Sequence, residues 1–332
     1  MNIGPFDITK KVLIVAEVGN NHEGSLETAK RMVALAARSG ADAVKFQTFK
    51  TEYFVGSSDP ARFARLKSFE LSFDQFRELS RVAKDEGILF LSTPLDIESA
   101  RFLNTIVGAF KIASGDNNFY PLIKEVVGFG KPVILSRGLA DFEELRHTVA
   151  FIESVSSSVP LALLHCVTRY PVEPHEANLL AIRQLQKEFK YLVGYSDHLI
   201  GIEAAVAAAA LGSRIIEKHF TIDKNFSAFR DHALSADPAE MTEMVKRIRT
   251  IEVMLGSGSA MVQDSEKTMI PLVRRSIAAK KDLSEGSVVH FQDLTWLRPS
   301  GGLNPGQENL VVGKKLKRAV KLGDVFTVDM VE

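Results

Sequence analysis

A single cysteine, Cys166, stands in a chain of 332 residues, so a disulfide framework within the chain is excluded. A reducing compartment, the cytoplasm, is the expected setting. Charge of one sign is missing as well, since 41 Lys and Arg face 41 Asp and Glu. That balance gives no basic field for nucleic acid or for an anionic membrane surface, and neither is expected as a partner. No apolar run reaches the length a membrane-spanning helix needs, and the opening MNIGPFDITKKVLIVAEVG is too short in its apolar stretch for a secretory signal. The Gly-rich turn that binds dinucleotides after a first strand is also absent. These absences leave a small molecule as the expected partner, handled by one large core with an appendage.

What is present is a series of short runs rich in Val, Ile and Phe. They are VLIVAEVG from Val12, AVKFQTF from Ala43, ILFLSTP from Ile88, AFKIASG from Ala109, PVILSRG from Pro132, LALLHCV from Leu161, LVGYSD from Leu192 and RIIEKHF from Arg214. Each is continuously apolar, as a strand buried on both faces is. Helical spacing fills the gaps. From Ser72 to Glu86 it sets Phe76, Leu79 and Ala83 on one face, with Ser72 and Gln75 as a capping box and Gly87 as a left-handed stop; Ser25 to Ser39, ended by Gly40, reads the same way. Strand and helix alternating eight times within residues 1–255 predict an α/β chain folded as a closed (β/α)₈ barrel rather than an open doubly wound sheet.

The pattern changes near Gly256. GSGSAMVQDSEKTM reads as a linker over residues 256–272, and residues 273–332 read as a small β-rich module. Within that module KKDLSEGSVV from Lys280 resembles KRAVKLGDVF from Lys317, a weak internal repeat of two short β units.

Nearly every barrel strand closes on polar residues at its C-terminal edge, where barrel enzymes place their chemistry. In chain order these are Glu17 with Asn20, Asn21 and His22; Lys45 and Gln47; Ser92 and Thr93; Lys111, Ser114 and Asp116; Ser136 and Arg137; Thr168 and Tyr170; Asp197 and His198; and Glu217 and His219. All are expected to converge on one mouth. A lysine inside an apolar strand is costly to bury unless it meets an anion, and Lys45 and Lys111 together imply a multiply charged ligand. The alternative is neutralisation by barrel carboxylates such as Glu17 and Glu217. Hydroxyls at Thr93, Ser114 and Ser136 are neutral donors suited to a phosphate beside those lysines. His198 and His219 end adjacent strands, so their imidazoles are placed to meet at one divalent cation, Mn²⁺ or a similar ion; the alternative for each alone is a hydrogen-bonded core histidine.

The motifs AEVGNNHEG at Ala16, VKFQT at Val44, STP at Ser92, KIASGD at Lys111, HCVTRYP at His165, GYSDH at Gly194 and EKHF at Glu217 resemble, in order and spacing, those of the sialic acid synthase family, whose members make N-acetylneuraminate, legionaminate and pseudaminate. The tail from RRSIAAKKDL through LRPSGGLNP resembles the antifreeze-like (SAF, β-clip) module of those synthases. The resemblance runs nearly end to end. It implies a metal-dependent condensation of phosphoenolpyruvate with an unphosphorylated N-acylamino hexose, N-acetylmannosamine or a 2,4-diacetamido sugar, giving a nine-carbon 2-keto-3-deoxy acid and phosphate with C–O cleavage. By position, His198 and His219 become ligands of Mn²⁺ or Mg²⁺, with Co²⁺ also admissible. Glu17, Glu217 and Asp231 become active-site carboxylates. Lys45, Thr93, Lys111, Ser114, Ser136 and Thr168 hold phosphoenolpyruvate, and Gln47 and Tyr170 contact the sugar. Arg298, in the RPSGG loop, matches an arginine that reaches the other subunit's sugar, which implies a domain-swapped homodimer.

Three positions depart from the family's commonest pattern: Asp116 where SGE is usual, Thr168 where an Asn is usual, and Arg137 where STG is usual. They put the identity of the sugar in doubt, and Arg137 bears on how a phosphate is held. Other classes compete with this reading. A phosphoenolpyruvate aldolase acting on a phosphorylated sugar would be favoured by an extra basic pocket. A metal-dependent barrel isomerase or hydrolase leaves the buried lysines without a use, and an inactive sugar-binding or assembly protein leaves the whole polar rim without one.

Overall fold

The computed structural model describes residues 1–56 and 58–332. The chain divides into two compact units, Met1–Gly256 and Ser257–Glu332.

Eight parallel strands make the first unit: β1 (Leu13–Gly19), β2 (Ala43–Thr48), β3 (Leu89–Pro94), β4 (Phe110–Ile112), β5 (Val133–Ser136), β6 (Leu161–Cys166), β7 (Leu192–Asp197) and β8 (Ile215–His219). Each pairs with its sequence neighbour except across β3 and β4, and β8 returns to pair with β1, His219 beside Glu17. β3 and β4 lie side by side at the remaining seam, so the sheet is a nearly closed (β/α)₈ barrel. All eight expected strands form, each within the run that predicted it.

The connecting helices end where local chemistry ends them. α1 (Leu26–Arg38) starts at Ser25, whose hydroxyl accepts from the Thr28 amide. After α2 (Pro60–Phe69), α3 (Phe73–Asp85) starts with the expected capping box between Ser72 and Gln75 and buries Phe76, Leu79 and Ala83. Gly40 and Gly87 follow at φ +83° and +76°, left-handed values that a side chain resists. The helices pack their apolar stripes onto the outer face of the sheet, where Ile14, Ala16, Val44, Phe46 and Ile216 lie fully buried.

Inside the barrel the opposite strand faces make a second core: Leu13, Val15, Ala43, Leu91, Ala109, Ile134, Ala162, Leu164 and Ile215. An N-terminal hairpin of two short strands, Asn2–Ile3 and Phe6–Asp7, adds Ile3 and Ile8 to it. The N-terminal half of the barrel is thus filled with apolar side chains, which restricts any cavity to the C-terminal half. No helix among the described residues is long and apolar enough to cross a membrane.

The second unit begins with two short helices, Asp264–Lys267 and Ile270–Val273, followed by an antiparallel pair, β9 (Ser276–Ala279) with β10 (Leu294–Leu297). Its internal repeat has a structural counterpart. The equivalent residues Leu283 and Val320 bond to each other, each amide donating to the other's carbonyl. The Gly286 amide donates to the Leu316 carbonyl, while its counterpart Gly323 donates to Ala279. Two copies of one small β motif therefore interlock around a local two-fold, burying Ile277, Val289, Leu316 and Phe326 between them.

Candidate active site

A cavity of about 320 Å³ opens at the C-terminal ends of the barrel strands. Period-two alternation decides which strand-end residues reach it. Glu17, Lys45, Gln47, Thr93, Lys111, Ser114, Asp116, Ser136, Thr168, Tyr170, His198, Glu217 and His219 all line it. Asn20, Asn21, His22, Ser92, Arg137 and Asp197 do not. They sit one residue out of phase or beyond the strand, so the expected convergence of every polar strand end is corrected to one face of each strand. Asp197 instead bonds Lys218 at 3.0 Å among packed side chains. Ser92 pairs with Thr48 at 2.7 Å. Arg137 turns from the cavity to donate to His165 Nδ1 and the Ala140 carbonyl.

At the cavity floor sit four buried charges. Lys45 Nζ lies 2.7 Å from Glu17 Oε2 and 3.7 Å from Glu217 Oε2, and Lys111 Nζ lies 3.5 Å from Glu217 Oε1. The carboxylates thus neutralise the lysines here, as the alternative reading of the sequence required. The compensation is uneven. Lys45 is shared, lying 2.7 Å from Glu17 Oε2 and donating to Thr93 Oγ1 at 3.1 Å. Burial holds the Lys111 pKa below its ordinary value, with Glu217 opposing only in part. Burial also raises Glu17, against Lys45 and with the help of Glu217. For Glu217 burial is outweighed by Lys111 and Lys45, and the carboxyl falls below the usual range. Ser196, which the sequence reading missed, donates to Glu217 at 2.9 Å.

Beside these charges the hydroxyls of Ser136 and Thr168 are buried and have no hydrogen-bond partner among the described residues. Such groups are rare in folded proteins, and their lone pairs and protons are open to a ligand, an ion or water. Gly138 packs so closely against them that a Cβ would collide with the Thr168 and Ser114 hydroxyls. Its hydrogen keeps the hydroxyl-lined pocket open.

His198 and His219 face each other with ring centroids 5.3 Å apart. A cation about 2.1 Å from one nitrogen of each ring would sit about 3.2 Å from each centroid, so the spacing suits two ligands of one ion. His198 Nδ1 donates to the Val167 carbonyl at 2.8 Å, leaving Nε2 as its free lone pair. His219 Nδ1 is buried without a partner, and burial, with His198 and Lys45, holds the ring neutral. Burial opposes charge on His198 too, but Cys166 and the Val167 carbonyl raise its pKa overall. No group of three or more His, Cys, Asp or Glu suited to a metal occurs among the described residues. Water and substrate oxygens would have to complete the coordination of two imidazoles.

Tyr170 stacks on His198 at 4.2 Å, and Gln47 is held between Asn20 at 3.0 Å and Glu17 at 3.4 Å. Asp231 does not line the cavity. It lies in the first turn of the short helix α4 (Arg230–Leu234) and pairs with Arg230 at 3.1 Å, and that guanidinium lies 4.6 Å over the Tyr170 ring. Arg298 is exposed in the second unit, in a loop after β10. Arg62 from α2 and Phe54 also line the cavity and were not anticipated.

A barrel with a charged, hydroxyl-lined cavity at the C-terminal strand ends is the arrangement of a barrel enzyme. The chain belongs to the NeuB family, matched over residues 32–260, with a SAF domain over residues 274–332. It is 43% identical to an uncharacterized protein of Methanocaldococcus jannaschii over 95% of this chain and 93% of that one. It is 38% identical to the N,N'-diacetyllegionaminic acid synthase of Campylobacter jejuni, over 92% of this chain and 96% of that one. The crystal structure of N-acetylneuraminic acid synthetase from Leptospira borgpetersenii in complex with citrate is similar at 36% identity and TM-score 0.78, covering 81% of this chain and 94% of the other.

Proposed function

We propose that this protein is a nonulosonic acid synthase that joins phosphoenolpyruvate to the aldehyde of an N-acylamino hexose. The observation that carries the reading is the pairing, in one cavity, of two buried lysines and two unpartnered hydroxyls with two facing imidazoles. An anion and the oxygen of an electrophilic carbonyl are both provided for. Relatives named as legionaminic and N-acetylneuraminic acid synthases support the same class.

In this reading Lys45 and Lys111 meet the phosphate and carboxylate of phosphoenolpyruvate, and Thr93, Ser114, Ser136 and Thr168 donate to its oxygens. Binding a multiply charged anion removes the cost of burying Lys111 charged. Gln47 and Tyr170 contact the sugar. A divalent cation, Mn²⁺ or Mg²⁺, held by His198 and His219 supplies Lewis acidity at the aldehyde oxygen when bound. The enol π pair forms the new C–C bond at the aldehyde carbon, and the aldehyde oxygen takes up an electron pair and a proton. Positive charge is left at C2 of the phosphoenolpyruvate unit. Glu17 faces it, and its raised pKa suits it to take the proton from the water that adds there. Phosphate then leaves with the C–O electron pair and takes up the proton that the C2 hydroxyl loses, giving the 2-keto acid. Glu217 keeps the lysines charged throughout, a preorganised role. Asp231 acts through Arg230 and Tyr170. Arg298 of a second copy would complete the sugar site in a swapped homodimer, a part of the proposal that rests on the resemblance of its loop.

Phosphate release from phosphoenolpyruvate, measured with Mn²⁺ and a panel of N-acetylmannosamine, its 6-phosphate and two 2,4-diacetamido hexoses, tests the reading. A product whose mass equals sugar plus pyruvate is expected with at least one sugar. Release with none of them refutes it.

A further inference from the structure

Behind the cavity, on the outer face of strands β5 to β8, runs a belt of polar side chains. Arg137, just past the end of β5, donates to His165 Nδ1 on β6. With that nitrogen accepting, His165 Nε2 donates to the Ala177 carbonyl at 2.8 Å, and the ring stacks on Tyr195 of β7 at 5.7 Å between centroids. The Tyr195 hydroxyl donates to Asp197 Oδ1 at 3.2 Å, and Lys218 on β8 donates to Asp197 Oδ2 at 3.0 Å. None of these five lines the cavity, but each is next in sequence to a residue that does, because successive residues of a strand point to opposite faces.

The ion pair that ends this belt is fully buried, with the Lys218 and Asp197 side chains 1% and 0% exposed. Taking two such charges out of water costs about as much as their attraction returns, so stability alone does not account for the pair. Its remaining bonds show what else it does. Asp197 Oδ1 accepts from the Leu199 amide at 3.0 Å, and the Lys218 ammonium also donates to the Leu199 carbonyl. The pairing of β7 with β8 ends at the rung between Asp197 and Lys218. Beyond that rung no ladder bond between these strands sets His198 against His219, and the ion pair takes over by gripping the residues on both sides of His198. Lys218 itself stands between Glu217 and His219. From the other side the Val172 amide donates to the His198 carbonyl at 3.1 Å. One ion pair thus ties the segment that carries one imidazole to the segment that carries the other.

We infer that Lys218 is a positioning residue which, through Asp197 and the Leu199 backbone, holds the His198 and His219 rings at the spacing that one shared divalent cation needs. This rests on the cation site of the proposed synthase reading and goes beyond it by giving a role to two charged residues that reach no substrate. Groups behind the ligands of a metal ion commonly set its affinity by fixing ligand direction. Among the described residues no third His, Cys, Asp or Glu joins the two imidazoles, so their spacing bears a larger share of that affinity.

The test is calorimetric titration of Mn²⁺ and, separately with a chelator present, of phosphoenolpyruvate, into the wild-type chain and into a variant combining Lys218→Met with Asp197→Asn. Both charges go together, and the Asn oxygen still accepts from the Leu199 amide, so the variant should fold and melt within about 5 °C of the wild type. Expected are Mn²⁺ binding weakened by about 10- to 100-fold and phosphoenolpyruvate binding within about twofold of the wild type. Mn²⁺ binding of equal strength in the two proteins overturns the inference and leaves the synthase reading standing. Equal weakening of Mn²⁺ and phosphoenolpyruvate, or a variant that does not fold, also overturns it, because the pair would then be a general support of the barrel. A wild-type chain that binds no Mn²⁺ ends the cation site of the synthase reading and this inference with it.

Discussion

The barrel interior holds two layers built on the same strands. Toward the N-terminal ends Leu13, Val15, Ala43, Ile134, Leu164 and Ile215 fill the space with hydrocarbon. One or two inward positions later the same strands present Glu17, Lys45, Ser136, Cys166, Glu217 and His219. Backbone register fixes both layers equally, so direction alone does not separate them. The lower layer gains free energy from being dry, whereas the upper layer holds four ionised groups and unpartnered hydroxyls that cost stability until a ligand arrives. The difference locates function where folding gains least.

Substitutions at matched depth should separate the layers, beginning with the largest effect. His219→Ala should lower kcat by about 1000-fold or more, roughly 4 kcal/mol in activation free energy, with little loss of thermal stability. Full wild-type activity after exhaustive chelation would contradict the role given to that residue. Leu164→Ala should do the reverse, lowering the free energy of unfolding by about 2–5 kcal/mol in urea melts while kcat of the folded fraction stays within about twofold. Equal damage to stability and kcat would blur the division.

Smaller effects probe the edges of the upper layer. Gly138→Ala should raise the KM for phosphoenolpyruvate by about tenfold, or about 1.4 kcal/mol, with a lesser change for the sugar, because the added methyl meets Thr168 and Ser114. Asp116 lines the cavity with its carboxyl pushed up to about 6 by burial, against a pull downward from Lys111. The native state therefore holds that proton more tightly than the unfolded chain, whose ordinary value is 3.8. The stabilisation is present in full below pH 3.8 and is lost as pH rises through about 6. Asp116→Asn should accordingly gain on the wild type by about 1 kcal/mol between pH 4.5 and 7.5, after allowance for partial exposure. A gain that does not change with pH would remove Asp116 from that account.

How much of this the sequence carries follows from the same geometry. Buried parallel strands and capped helices leave strong local signals, and the eight strands and the Ser72–Gln75 box stand where those signals put them. Lys45 and Lys111 were legible because an ammonium group inside an apolar strand is stable only beside an anion. Arg137, Asp197 and Ser92 misled because a strand end looks the same whichever face its last residues take, and one step of register sends a side chain outside the barrel. Arg62 and Arg230 gave no warning. They lie on two short helices, where spacing does not fix direction, and Phe69 packs on Phe229 between them.

The central claim is that the charged layer is a phosphoenolpyruvate site, and calorimetric titration of phosphoenolpyruvate into the wild-type protein and Lys111→Met tests it most directly. The account predicts saturable binding by the wild type and at least about 100-fold weaker binding by Lys111→Met, with the variant's melting temperature unchanged or higher because a buried charge has gone. Binding of the same strength in both proteins would contradict it.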